Sequence, residues 1–165
     1  MQINTAGLAI IKEFEGLILL AEQDPAGIWS IGYGHTPAEP GEFITEKQAD
    51  ALLAEDVAKF DAAVSALVVK ARTSENQFSA MVCLTYNIGP AAFRRSTLLR
   101  FHNAGNFPAA ASQFAVWDKA HVDGHLVVLP GLVKRRAAEE ALYVEVDDHM
   151  PVPGPFTEPD PVEGA

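Results

Sequence analysis

Three side chains stand at set intervals near the N-terminus: Glu15, then Asp24 nine residues on, then Ser30 after six more. Two carboxyl groups in unlike surroundings can divide acid and base duties, because burial, nearby charge and hydrogen bonding move their proton affinities apart. The bond that suits such a pair is a glycosidic one. One carboxyl protonates the leaving oxygen, and the other activates water or stabilises charge at the anomeric carbon. Taken alone, a helix-end glutamate and an Asp-Pro turn are ordinary surface features, so the flanking residues decide what the triplet means.

The elements that must carry these groups can be read from the pattern around them. Leu8, Ile11 and Phe14 fall at helical spacing behind Asn4 or Thr5 as N-cap, and Gly16 stops the run, which predicts a helix over 4–15 with Glu15 at its end. There the negative end of the helix dipole disfavours carboxylate charge and favours the protonated form that a general acid needs. From Leu17 to Ile44 short apolar runs are broken by Asp24-Pro25-Ala26-Gly27 and Pro37-Ala38-Glu39-Pro40-Gly41. This predicts a small three-stranded antiparallel β lobe over 17–44, with Asp24 in a wet turn. Thr45 with Gln48 forms a capping box opening a helix of about two dozen residues, with Ala49, Leu52, Leu53, Val57, Phe60, Val64 and Leu67 on its apolar stripe. Ser74 with Gln77 repeats that signal for an all-round apolar helix ending at Gly89-Pro90, and shorter helices are expected near 97–104, 108–119 and 131–145. The fold class is therefore α+β: a β lobe and a larger helical lobe built from 4–15 and 45–146.

Composition sets the outer limits. A chain of 165 residues that is 48% hydrophobic suits one compact domain, here 1–146, followed by an acidic, proline-rich tail over 147–165 that excludes regular helix. The net charge of −10 argues against a sequence-independent grip on nucleic acid or on anionic lipid, although half of it comes from the tail. The single Cys83 rules out an intramolecular disulfide, and its apolar run from Phe78 to Leu84 predicts a buried thiol. The apolar patch Leu8 to Ile11 has no basic segment before it and Lys12-Glu13 directly after it. Neither a signal peptide nor a stable membrane insertion is expected, which places synthesis in a cytoplasm.

The block from Phe14 to Thr36 resembles the active-site segment of phage-type lysozymes, the family 24 glycoside hydrolases that serve tailed phages as endolysins. Further blocks extend the resemblance in order: Tyr86-Asn87-Ile88-Gly89, Phe93 to Leu99, Trp117, and Pro130 to Glu139. It covers about residues 4 to 145. The resemblance implies a muramidase acting on bacterial peptidoglycan, cutting the β-1,4 bond between N-acetylmuramic acid and N-acetylglucosamine. It implies Glu15 as general acid, Asp24 as base or stabiliser, and Ser30 as the water-holding hydroxyl, where the family usually has threonine. Thr36, Tyr86, Asn87 and Ser96 fall on positions that line the saccharide cleft, while Ala111 stands where a polar cleft residue is expected. No cofactor or metal is implied, the partner is the wall polymer, and a monomer is expected. A carboxyl separation of roughly 6.5–9.5 Å would mark an inverting enzyme and about 5–5.5 Å a retaining one. The resemblance implies inversion.

Other readings of single residues stand beside these. His35, after a Gly-Tyr-Gly strand exit, reads better as a structural residue paired with a carboxylate such as Asp56 than as a third catalytic group. His121, Asp123 and His125 alternate as three metal ligands on one strand would, against the simpler reading of a solvated loop or hairpin before Pro130. Arg94-Arg95 and Lys134-Arg135-Arg136 read as solvated helix faces or as contacts to an acidic wall component. Trp29 and Trp117 could stack on sugars, with core packing the better default for Trp117. Two alternatives for the whole chain remain: a lytic transglycosylase-like enzyme in which Glu15 works without Asp24, and a catalytically impaired glycan-binding or assembly module.

Overall fold

The computed structural model describes residues 1–24, 26–122 and 124–146. The tail expected over 147–165 lies outside them. Helix α1 spans Thr5–Glu15; Asn4 caps it by accepting from the Gly7 amide, and Gly16 ends it at φ 73 with its own amide bonded to Lys12 O. Strands β1 (Ile18–Gln23) and β2 (Trp29–Gly32) form an antiparallel hairpin that pairs Glu22 with Ser30 and Gln23 with Trp29.

The third strand of the lobe is shorter than expected. Only Glu42, Phe43 and Ile44 lie alongside β1: the Ala21 amide donates to Glu42 O at 2.9 Å, the Ile44 amide donates to Leu19 O at 2.9 Å, and Leu20 faces Phe43. The turn at Pro40-Gly41 ends just before Thr45, which is already the N-cap of the next helix, so a longer strand has no residues to use. The lobe is a two-stranded hairpin with one bridge on its edge.

Helix α2 (Glu46–Ser65) opens with the expected capping box at Thr45 and Gln48, and buries Ala49, Leu53, Val57 and Val64. After a 3-10 turn at Lys70–Arg72 comes α3 (Glu75–Ile88), again capped by a Ser74–Gln77 box. Every residue from Gln77 to Thr85 is buried, so α3 is the central post of the helical lobe. Helices α1, α2 and the last helix pack around it. Fully burying a side chain such as Phe78 or Met81 stabilises the fold by about 1.5–3 kcal/mol. Gly7 lets α1 come close: a Cβ there would sit 2.7 Å from Ile3 Cγ1 and 3.0 Å from Ser79 Cβ. The buried Cys83 thiol donates to Gly7 O at 3.2 Å across the same contact.

Helices α4 (Pro90–Arg94), α5 (Thr97–Asn103) and α6 (Phe107–Ala111) follow, then a 3-10 turn at Phe114–Trp117. A single helix over 108–119 is therefore not formed. Strands β3 (Lys119–Val122) and β4 (His125–Val128) make an exposed hairpin, and α7 (Pro130–Val144) closes the described chain. Within that hairpin Val122 pairs with His125, and His121 with Leu126. Directly paired residues share a face and neighbours alternate, so His121 and His125 point to opposite faces. The three-ligand arrangement on one strand does not exist here, and Asp123 lies outside the described residues. No helix among the described residues is long and apolar enough to cross a membrane.

Candidate active site

Glu15 is delivered by the end of α1, where the Gly16 cap turns the chain into the β lobe. Its side chain is 23% exposed, and its Oε1 accepts from Arg135 Nη1 at 2.6 Å. The other oxygen, Oε2, faces the turn after β2: a Cβ on Gly34, whose φ is +85, would lie 3.6 Å from it. A side chain at Gly34 would crowd this oxygen, and its positive φ is one that glycine takes without strain. The helix end and the guanidinium act on the Glu15 charge in opposite senses.

The Glu15 carboxyl lines one depression, and Gly34, toward which Oε2 faces, lines a second. One, of about 490 Å³, is lined by Phe14, Glu15, Asn87, Arg135 and the segment from Leu129 to Leu132. The other, of about 250 Å³, is lined by Gly34, Thr36, Asp56, Lys59, Phe60 and Tyr86. Asn87 thus shares a depression with Glu15, while Thr36 and Tyr86 share the second with Gly34. The Tyr86 hydroxyl donates to Tyr33 O at 2.9 Å, tying α3 to the β lobe. Burial, and then the charges of Glu15 and Asp56, push its phenol up, so it stays a neutral donor.

Asp24 sits on the exposed tip of the β1–β2 hairpin. Its Oδ1 accepts from the Ile28 amide at 2.8 Å, which makes the carboxylate part of its own turn. Ser30 lies half-buried on β2, across the hairpin from Glu22. Ser96 lines neither depression: it is 8% exposed and its hydroxyl caps α5 by accepting from the Leu99 amide at 3.1 Å. Ala111, at 4% exposure, belongs to the core beside α6. Trp29 and Trp117 are half-buried against the core. His35 takes the structural role expected of it: Nδ1 lies 2.7 Å from Asp56 Oδ2, while Lys59 Nζ holds Asp56 Oδ1 at 2.8 Å.

The largest addition to the expected site comes from α7. Arg135 and Arg136 are not a solvated basic face; they are 3% and 1% exposed, and Glu139 between them is fully buried. Glu139 Oε1 accepts from Arg135 Nε at 3.2 Å and from Arg136 Nη2 at 2.9 Å, and Arg136 Nη2 also donates to Asn87 Oδ1 at 3.1 Å. Pairing is what makes burying these charges tolerable. The sequence did hold a signal: Arg135, Arg136 and Glu139 fall on the same helical stripe as the buried Leu142 and Tyr143.

Comparison with known proteins gives the family of the fold. The phage lysozyme family matches residues 12–139. The endolysin of Acyrthosiphon pisum secondary endosymbiont phage 1 is 45% identical over 144 residues, covering 87% of this chain and 98% of that one. Among solved structures, the endolysin from Escherichia coli O157:H7 phage FAHEc1 aligns with a TM-score of 0.81 and 44% identity over 88% of this chain and 94% of its own. The muramidase domain of SpmX from Asticaccaulis excentricus aligns at 0.83 and 42%, over 88% and 99%. With a lysozyme-like arrangement of lobes, a carboxyl at their junction and relatives of this identity along nearly their whole length, the chain belongs to the phage lysozyme family.

Proposed function

We propose that this chain, a peptidoglycan hydrolase of the phage lysozyme family, cuts the β-1,4 bond between N-acetylmuramic acid and N-acetylglucosamine, with Glu15 as general acid. The carrying observation is the Glu15 carboxyl, which lines the larger of two depressions, fixed through Oε1 by a buried guanidinium while Oε2 faces Gly34, a lining residue of the other. A glycan strand lying along them presents its linkage oxygen to Oε2. Proton transfer from Glu15 releases the leaving sugar. Asp24 stabilises positive charge at the anomeric carbon or takes a proton from the attacking water, which Ser30 helps hold. Thr36, Tyr86 and Asn87 contact the sugars. Ser96, which caps α5 and lines neither depression, is given no sugar contact in this reading. The reading places synthesis in a bacterial host cytoplasm and action on the wall after release, by a monomer.

Clearing of a purified cell-wall suspension tests this. Glu15→Gln keeps the shape of the side chain and removes the proton donor, so the rate should fall by about 10²–10⁴-fold while sedimentation with the wall persists. Wild-type clearing by that variant would refute the assignment. Asp24→Asn separates two chemistries: strong loss with a hydrolytic product supports a carboxyl pair, and near-full activity with an anhydro-sugar product would mean Glu15 works alone.

A further inference from the structure

One guanidinium in this molecule serves two carboxylates. Arg135 gives Nη1 to Glu15 at 2.6 Å and Nε to Glu139 at 3.2 Å, so the candidate acid on α1 and the buried glutamate on α7 draw on the same cation. Glu139 is also the joint for Arg136, which reaches Asn87, another residue lining the depression that holds Glu15. Arg135, Arg136 and Glu139 are each at least 96% buried, so water screens little of this coupling. The network carries two positive and two negative groups. Removing the Glu139 charge leaves Arg136 without an anionic partner and Arg135 with Glu15 alone.

We propose that Glu139 is a positioning residue for the reaction: acting through Arg135, it sets how tightly the Glu15 carboxylate is held and hence the pH above which the general acid is lost. The proposal rests on Glu15 being that acid. The ionisable groups facing Glu139 are Arg135 and Arg136 from its own helix, Cys83 from α3 and Glu15 from α1. Cys83 stays a neutral thiol, because burial pushes it up first and the Glu139 charge adds to that. Burial likewise pushes the Glu139 carboxyl up, to about 7, against the opposing pull of Arg136 and Arg135. As Glu139 gains a proton, Arg135 is left to Glu15, the Glu15 carboxylate is held more firmly, and proton donation weakens.

The test is the pH dependence of kcat/KM on a soluble, defined peptidoglycan oligomer for the wild type, Glu139→Gln and Glu15→Gln. With Glu139→Gln the basic limb should move to lower pH by about one unit; a purely structural role would change the height of the profile and leave the limb in place. A limb that stays put in a folded Glu139→Gln overturns the proposal. Should that variant not fold, carboxyl ¹³C titration of the wild type decides: the Glu15 resonance should inflect at the pH where Glu139 titrates, and a Glu15 curve indifferent to Glu139 overturns it. An inactive Glu15→Gln with an unmoved limb removes only this proposal, whereas an active Glu15→Gln removes the functional reading as well.

Discussion

Replacing Asp56 by asparagine removes one charge from the contact that fastens the β lobe to α2. His35 belongs to the lobe, exchanging backbone hydrogen bonds with Ile31, while Asp56 projects from the helix. Their 2.7 Å contact joins side chains 23% and 13% exposed, so it is partly shielded from water. Lys59, 71% exposed, adds little to it. A hydrogen bond between charged groups contributes about 1.5–3 kcal/mol, and asparagine keeps the shape while losing the charge. At about 2–4 °C per kcal/mol for a chain of this size, Asp56→Asn should lower Tm by roughly 3–12 °C at pH 6. Burial pushes the Asp56 carboxyl up, but hydrogen bonds and charge from Lys59 and His35 outweigh it and hold the group below its ordinary value. A depressed carboxylate stabilises the fold fully above the unfolded aspartate value, about 3.9, and the stabilisation is lost as pH falls through the folded value. Urea unfolding of both proteins, followed by circular dichroism at pH 6, 4.5 and 3, should show a gap in stability that is constant at the upper values and closes toward the lowest. A gap below about 0.5 kcal/mol at pH 6, or one equally wide at pH 3, would refute the reasoning, since the second result would mean that shape and not charge matters.

Two other outcomes follow from buried polar groups. His102 is 1% exposed between Thr73 Oγ1 and Tyr143 Oη, and burial lowers its pKa to about 4. It stays neutral in the fold while the unfolded chain takes up a proton near 6.5, so stability should decline as pH falls from about 6.5 to about 4, by up to roughly 3 kcal/mol. His102→Gln should flatten that decline in the same urea titration. Asn4→Ala deletes the cap of α1 and its 2.8 Å bond to Asn76; a loss of about 0.5–2 kcal/mol is expected in thermal unfolding, with wall clearing reduced because α1 carries Glu15.

Where side chains talk to their own backbone, the sequence was easy to read. The capping boxes at Thr45 and Ser74, the Asn4 cap and the Gly16 stop are local agreements between residues a few positions apart, and each formed as expected. The Asp56 partner expected for His35 is the one it has, at 2.7 Å. Between Pro108 and Trp117 there is neither glycine nor proline, so nothing local announced the break after α6; packing of Ala110, Ala111 and Phe114 into the core sets it. Arg135 and Arg136 misled for a different reason. A basic run is ordinarily solvated, and only a carboxylate on the same face, here Glu139, together with a partner 120 residues away, makes their burial affordable. Asn87 lines the same depression as Glu15, and Thr36 and Tyr86 line the second one. The fold explains Ser96 through its cap, without recourse to a sugar.

The 120-residue span between Glu15 and Arg135 also bears on how the protein is made. At about 5–20 residues per second of synthesis, roughly 6–24 s pass between the emergence of the acid and of its guanidinium. Helix α1 leaves the ribosome first, yet its docking surfaces on α3 and α7 come later, α7 last among the described elements. A nascent chain, or one cut short before α7, therefore carries the carboxyl without the setting that fixes it. The site comes into being only as translation of the domain finishes.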